Sequence, residues 1–125
     1  MQYNFKKHED VHGRFETRIS ITGVNSFGFP AKFYADNNLK DYKYVVLFWD
    51  ADNKAIGIQF SNDEQEKSKL SLVKSSKYGA SLSAKSFFTK NALDSKKYKG
   101  RYDWKKVQVP DVGEVFVIEL KEKQQ

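Results

Sequence analysis

"SFGFPAKFYADNNL", Ser26 to Leu39, returns in altered form as "GASLSAKSFFTKNAL", Gly79 to Leu93. Aligned on Ala31-Lys32 and Ala84-Lys85, Phe29 matches Leu82 and Phe27 matches Ala80. These alternating apolar positions predict a short strand in each copy. Pro30 then stands where Ser83 stands. Proline suits the first position of a helix and serine caps a helix start, so each copy is expected to turn into a short helix. Phe33 and Tyr34 fall one residue out of step with Phe87 and Phe88. Asn37-Asn38 and Asn91 are the expected stops, because asparagine tolerates the left-handed conformation at a helix end.

Outward from these units the pattern continues. Upstream of each lies an alternating stretch, "FETRISI" (Phe15–Ile21) and "KLSLV" (Lys69–Val73). Downstream of each lies a predicted hairpin. "KYVVLFWD" turns through Ala51-Asp52-Asn53 into "KAIGIQF", and "GRYDWKKVQV" turns through Pro110-Asp111-Val112-Gly113 into "EVFVIEL". Both turns carry the residues that reverse a chain. The expected fold is mainly β with two short helices (α+β). It is read as a pseudo-twofold β-barrel made from two β-β-α-β-β repeats in one chain. The repeats are 15–60 and 69–120, joined by a linker at 61–68, with an arm at 1–14 and a tail at 121–125. A half of this size does not bury a core by itself, whereas two interleaved halves do, and they leave few open strand edges. Chance similarity between two β-rich segments is the alternative, since the copies share few identities and their hairpins differ in length.

Bulk composition narrows the function. At 125 residues the chain is one domain's length, and 15% aromatics within 39% hydrophobic residues indicate a packed, sheet-rich interior. Cysteine is absent, which excludes disulfides, zinc-thiolate sites and thiol catalysis. The opening "MQYNFKKHED" has no apolar signal-peptide run, and nothing later reaches membrane-span length. A cytoplasmic protein is expected.

The formal net charge of +6 is unevenly spread. Residues 1–63 are balanced, while Lys67 to Lys106 hold twelve basic residues against only Asp94 and Asp103. Such a run suits a polyanionic partner; a solvated lysine face is the plainer alternative. Only Arg14, Arg18 and Arg101 are arginines among the 22 basic residues. Reading of base edges leans on the bidentate guanidinium, so a lysine patch predicts phosphate-driven, weakly sequence-specific binding. With about five lysines on duplex phosphates, log K falls against log salt with a slope of about −4.5.

The densest segment is "KKYKGRYDWKK", Lys96 to Lys106. Read as a strand, it sends Lys97, Lys99, Arg101 and Lys105 one way and Tyr98, Tyr102 and Trp104 the other. The aromatic face either packs into the core or stays open to stack bases. Lys74, Lys77, Lys85 and Lys90 extend the basic patch. The corresponding strand of the first copy, Tyr44 to Trp49, is uncharged and is expected to be buried as scaffold.

Phe29-Pro30-Ala31-Lys32-Phe33, and more loosely Leu82-Ser83-Ala84-Lys85-Ser86, resemble the AbrB/MazE/MraZ-like swapped-hairpin family, above all its tandem members. The resemblance spans Phe15 to Leu120. It implies a DNA-binding barrel of the transcription-regulator or antitoxin type, with further assembly into oligomers as an option. The family commonly places a basic residue four positions before the proline; here those positions hold Ser26 and Gly79, and four positions after it stand Tyr34 and Phe87. The resemblance therefore implies the fold more strongly than the family's DNA-reading surface.

"HEDVH", His8 to His12, fits the HExxH pattern of zinc peptidases, with Glu16 on the same side of a continuous helix. Gly13 follows at once and these are the only two histidines, so the motif is read as part of the arm. No phosphate-cradling glycine motif or serine triad is present, and Asp50 and Asp52 are explained by their turn. The sequence points to a nucleic-acid-binding protein of DNA-regulator type without enzymatic activity or cofactor. The alternative is a protein-interaction module, such as an antitoxin-like partner binder.

Overall fold

Ile19 and Ile21 on β1 (Ile19–Thr22), and Phe27 and Phe29 on β2 (Ser26–Phe29), are buried while the residues between them are partly exposed. This is the period of two that a half-buried strand requires. The computed structural model describes residues 2–5, 16–75 and 78–121. After β2 come α1 (Ala31–Asp36), a single 3-10 turn (Leu39–Asp41) and the hairpin of β3 (Tyr44–Asp50) and β4 (Ala55–Ser61). Then follow β5 (Leu70–Ser71), β6 (Val73–Ser75), β7 (Gly79–Ser83) and α2 (Lys85–Lys90). The chain closes with β8 (Gly100–Tyr102), β9 (Lys105–Val109) and β10 (Gly113–Glu119).

Among the described residues these strands form two five-stranded antiparallel sheets, in the orders β6-β7-β2-β1-β8 and β5-β3-β4-β10-β9. The fold is thus mainly β with two short helices. In both sheets the central pairing joins the first half of the chain to the second. β2 lies on β7 with Phe27 opposite Leu82, and β4 lies on β10 with Ile58 opposite Phe116. Side chains of both sheets meet in one core, where Phe29 of β2 meets Phe60 of β4 edge-on with ring centres 5.3 Å apart. Each helix adds one fully buried ring. Phe33 sits edge-on to Trp104 and Phe116 at 5.3 and 5.2 Å, and Phe88 stacks on Phe27 at 5.4 Å.

The helix starts differ from the sequence expectation. Pro30 precedes α1 as its N-cap, extended at ψ 163, and Ser83 ends β7 without capping anything. The N-cap of α2 is Ala84, whose N–H is held by the Asn25 carbonyl at 2.8 Å. The buried ring is the third residue of α1, Phe33, and the fourth of α2, Phe88. The stops agree with the expectation at Asn38, which is left-handed just past α1, and depart from it at Asn91. Asn37 and Asn91 are not left-handed; their side-chain amides donate to the carbonyls of Phe33 and Phe87, at 3.0 and 2.9 Å. The left-handed residue comes next, Asn38 and Ala92, each at φ 54.

Two expected strands are broken, because the chain changes sheet within each. β5 and β6 part at Leu72, whose N–H donates to the Lys43 carbonyl at 3.0 Å. β8 and β9 part at Asp103-Trp104, where β8 follows β1 and β9 follows β10. The break lets the Trp104 indole enter the core and donate its Nε1–H to the Thr17 carbonyl at 2.8 Å. β3 is buried only at Val45 and Val46, and Phe48 emerges to 36% exposure. Its partner β5 meets it only at Tyr44 and Val45, leaving the rest of β3 at a sheet edge.

The segment read as a linker is pinned in place. Asn62 accepts from the Lys43 N–H at 2.8 Å and donates to the Asp41 carbonyl at 2.7 Å, while the Tyr44 hydroxyl donates to Glu64 at 2.6 Å. Among the described residues no helix is long and apolar enough to cross a membrane.

Candidate nucleic-acid interface

The segment after α2 does not run as one strand. Residues 94–97 form a turn closed by Lys97 N–H and Tyr98 N–H on the Asp94 carbonyl, at 3.0 and 3.3 Å. Extended structure resumes only at Gly100, so the alternation expected across Lys96–Lys106 holds for part of it. Tyr98 and Tyr102 are nonetheless buried, at 7% and 6% exposure, and Trp104 is half-buried against Phe33 and Phe116. The Tyr102 hydroxyl reaches the carbonyls of Tyr98 and Lys121, at 2.5 and 3.0 Å. Burial raises its pKa. Of the two readings of the aromatic face, the geometry is that of core packing; Tyr98 and Tyr102 present no open ring to a base.

The basic side chains fall into two sets. In the first, each cation already has a neighbour. Arg101 approaches Glu16 at 3.6 Å, and Glu16 is also held by both the backbone and the guanidinium of Arg18, each at 2.9 Å. These hydrogen bonds from Arg18, side chain first, lower the Glu16 pKa to about 2. Lys105 pairs with Glu119 at 3.8 Å. Lys74 is a clamp, its ammonium donating to the carbonyls of Lys40 and Tyr42 at 3.0 Å each. The Lys97 ammonium lies 5.7 Å from the centre of the Tyr98 ring. The exposed ion pairs are weak and leave their cations available, yet Glu16 and Glu119 reduce the local charge.

The second set gathers about one turn. Asn25, in the β1–β2 turn, donates its N–H to the buried Ser95 hydroxyl at 3.1 Å and accepts from Ala84 N–H. One residue thus ties the start of α2 and the loop after it to the same turn. Lys85 follows Ala84 directly, and the side-chain stems of Lys99 and Lys96 pass over Gly23 of that turn, at 3.5 and 3.6 Å from where its Cβ would stand. Lys85, Lys96 and Lys99 are exposed and their ammonium groups enter no ion pair among the described residues, while the Lys96 N–H donates to the Asp94 carboxylate at 3.0 Å. Lys90, exposed at the far end of α2, stands outside this set.

Lys96 escaped the sequence reading because strict alternation puts it on the side of Tyr98; the turn at 94–97 removes that constraint. Lys77 and the His8–His12 motif lie outside the described residues. No cluster of three or more potential metal ligands occurs among those described. Comparison with protein-family models, with curated proteins and with solved structures finds no match to this chain.

Proposed function

We propose that the protein binds nucleic acid through phosphates, on the surface formed by the β1–β2 turn, the start of α2 and the loop at 94–99. The observation that carries this reading is the placement of Lys85, Lys96 and Lys99 around one turn with none of their ammonium groups in an ion pair, Asp94 beside them being held by the Lys96 backbone N–H at 3.0 Å. Ammonium groups arranged without a fork hold phosphates as point charges, which favours binding of weak sequence specificity. Lys97, Lys99 and Arg101 continue the surface along the loop toward β8.

The architecture belongs to the same proposal. Two sheets whose central pairs join the halves, β2 with β7 and β4 with β10, support a pseudo-twofold barrel of AbrB-like type. So do two helices ended by the same asparagine device. Duplex DNA is the expected target and a regulatory role the expected use. Fluorescence anisotropy with labelled duplex DNA over a range of salt tests it: affinity falls steeply with salt, and changing Lys85, Lys96 and Lys99 to Ala weakens it and makes the fall shallower.

One observation favours a second reading as a protein-interaction module. β6 is an edge strand, and Val73 and nearby Tyr78 are 63% and 73% exposed. An open edge with apolar side chains accepts a strand from another chain. Pull-down of a defined partner that protects β6 amides from hydrogen exchange would favour this reading.

A further inference from the structure

A second cationic surface lies away from the β1–β2 turn. β3, α2 and the segment before β5 enclose a groove of about 450 Å³. Trp49 and Leu47 of β3 and Phe87 of α2 supply its apolar lining; Lys67, Lys69 and Lys90 supply its charge. No carboxylate lines it. Trp49 and Phe87 pack on the core yet remain partly exposed, so the rings are held from beneath and open above. The Lys69 ammonium is fixed by the Glu66 carbonyl at 3.1 Å and by the Tyr44 ring at 5.4 Å. Lys67 and Lys90 are exposed, without an ion pair among the described residues.

This combination selects its ligand by chemistry. A neutral apolar molecule gains nothing from three ammonium groups, and an inorganic anion gains nothing from two rings. A duplex keeps its base faces stacked inside. Unpaired nucleotides offer both a π-face and a phosphate at short spacing, the pattern that single-strand binders exploit. We infer that this groove binds single-stranded nucleic acid, with a base against Trp49 or Phe87 and phosphates on Lys67, Lys69 and Lys90. The stacking role denied to Tyr98 and Tyr102 by burial is thereby taken by other rings. The inference rests on the nucleic-acid reading above but uses a different surface.

The test compares a labelled oligothymidylate with a duplex of the same length, using the full chain and its variants. Changing Lys67 and Lys90 to Glu alters exposed side chains and leaves the fold intact. It is expected to weaken single-strand binding at least about tenfold, with duplex binding through Lys85, Lys96 and Lys99 little changed. Trp49→Leu is expected to weaken single-strand binding by about fivefold to a hundredfold while the salt slope stays the same. Single-strand affinity unchanged in the double Lys→Glu variant overturns the inference while leaving the duplex reading standing. So does inorganic polyphosphate competing as well as the oligonucleotide, charge for charge, since stacking would then contribute nothing. Absence of binding to either form of DNA removes both readings together.

Discussion

Gly79, at the start of β7, lies directly against the backbone of Phe29, at the end of β2. A Cβ built on Gly79 would penetrate the Phe29 carbonyl oxygen and stand 2.8 Å from the Pro30 carbonyl carbon. The residue also holds φ at +97, where L side chains are strained. This contact lets β7 pair closely with β2 up to the point where α1 begins. Gly79→Ala is therefore expected to destabilise the protein by about 3 kcal/mol or more. Urea denaturation of the variant measures it, and a loss below 1 kcal/mol (about fivefold in the folding equilibrium) would contradict the packing described.

Ala92 offers the opposite experiment. It holds φ 54 just past α2, in a conformation that costs a residue with a Cβ about 1 kcal/mol. It is exposed and makes its turn through its backbone N–H, which bonds the Thr89 carbonyl at 3.2 Å. Ala92→Gly keeps that bond and relieves the strain. A stabilisation of about 0.5–1 kcal/mol is expected despite the freer unfolded chain, read as a rise in the denaturation midpoint.

Glu16 sets a pH dependence. Its folded pKa of about 2 lies below the ordinary value of 4.5, so the folded state favours the carboxylate. The stability it contributes is fully present above about pH 4.5 and is lost as pH falls toward 2. Glu16→Gln is expected to be less stable than the parent chain at pH 6. The difference should shrink between pH 4.5 and 2, because protonated Glu16 then resembles the amide. A gap that stays constant down to pH 2 would mean that the Arg18 and Arg101 contacts are not what holds this carboxylate.

Lys74 separates structural from binding lysines. Its ammonium spans the carbonyls of Lys40 and Tyr42, tying β6 to the segment before β3. Lys74→Met is expected to cost about 1 kcal/mol of stability and to leave nucleic-acid affinity within about twofold. A large loss of affinity with unchanged stability would return Lys74 to the binding surface.

Much of the fold was legible because it rests on local signals. The alternation of Phe27, Phe29 and Leu82 marked β2 and β7, and Asp/Asn/Pro/Gly clusters marked both hairpin turns. Tyr98 and Tyr102 were placed on one side of their segment, and that side is buried. What was not legible depends on partners far along the chain. The sheet change at Asp103-Trp104 follows from the pairing of β8 with β1, some eighty residues back. The N-cap of α2, Ala84, is held by the Asn25 carbonyl, some sixty residues back. The same holds for charge: a window from Lys67 to Lys106 counts Arg101, Lys105 and Lys106 but not Glu16, Glu119 and Glu114, which the sheets bring beside them. Trp49 and Phe87 lie 38 positions apart in sequence, and only the packing of α2 beside β3 makes them one groove with Lys67 and Lys90.

The central claim is tested most directly by the salt dependence of duplex DNA binding, measured by anisotropy for the parent chain and for the variant with Lys85, Lys96 and Lys99 changed to Ala. The account predicts a steep fall of log K with log salt in the parent, and a slope shallower by about 2.7 in the variant, about 0.9 for each phosphate contact removed. Binding whose slope is the same in both proteins, or no binding by the parent at low salt, would contradict it.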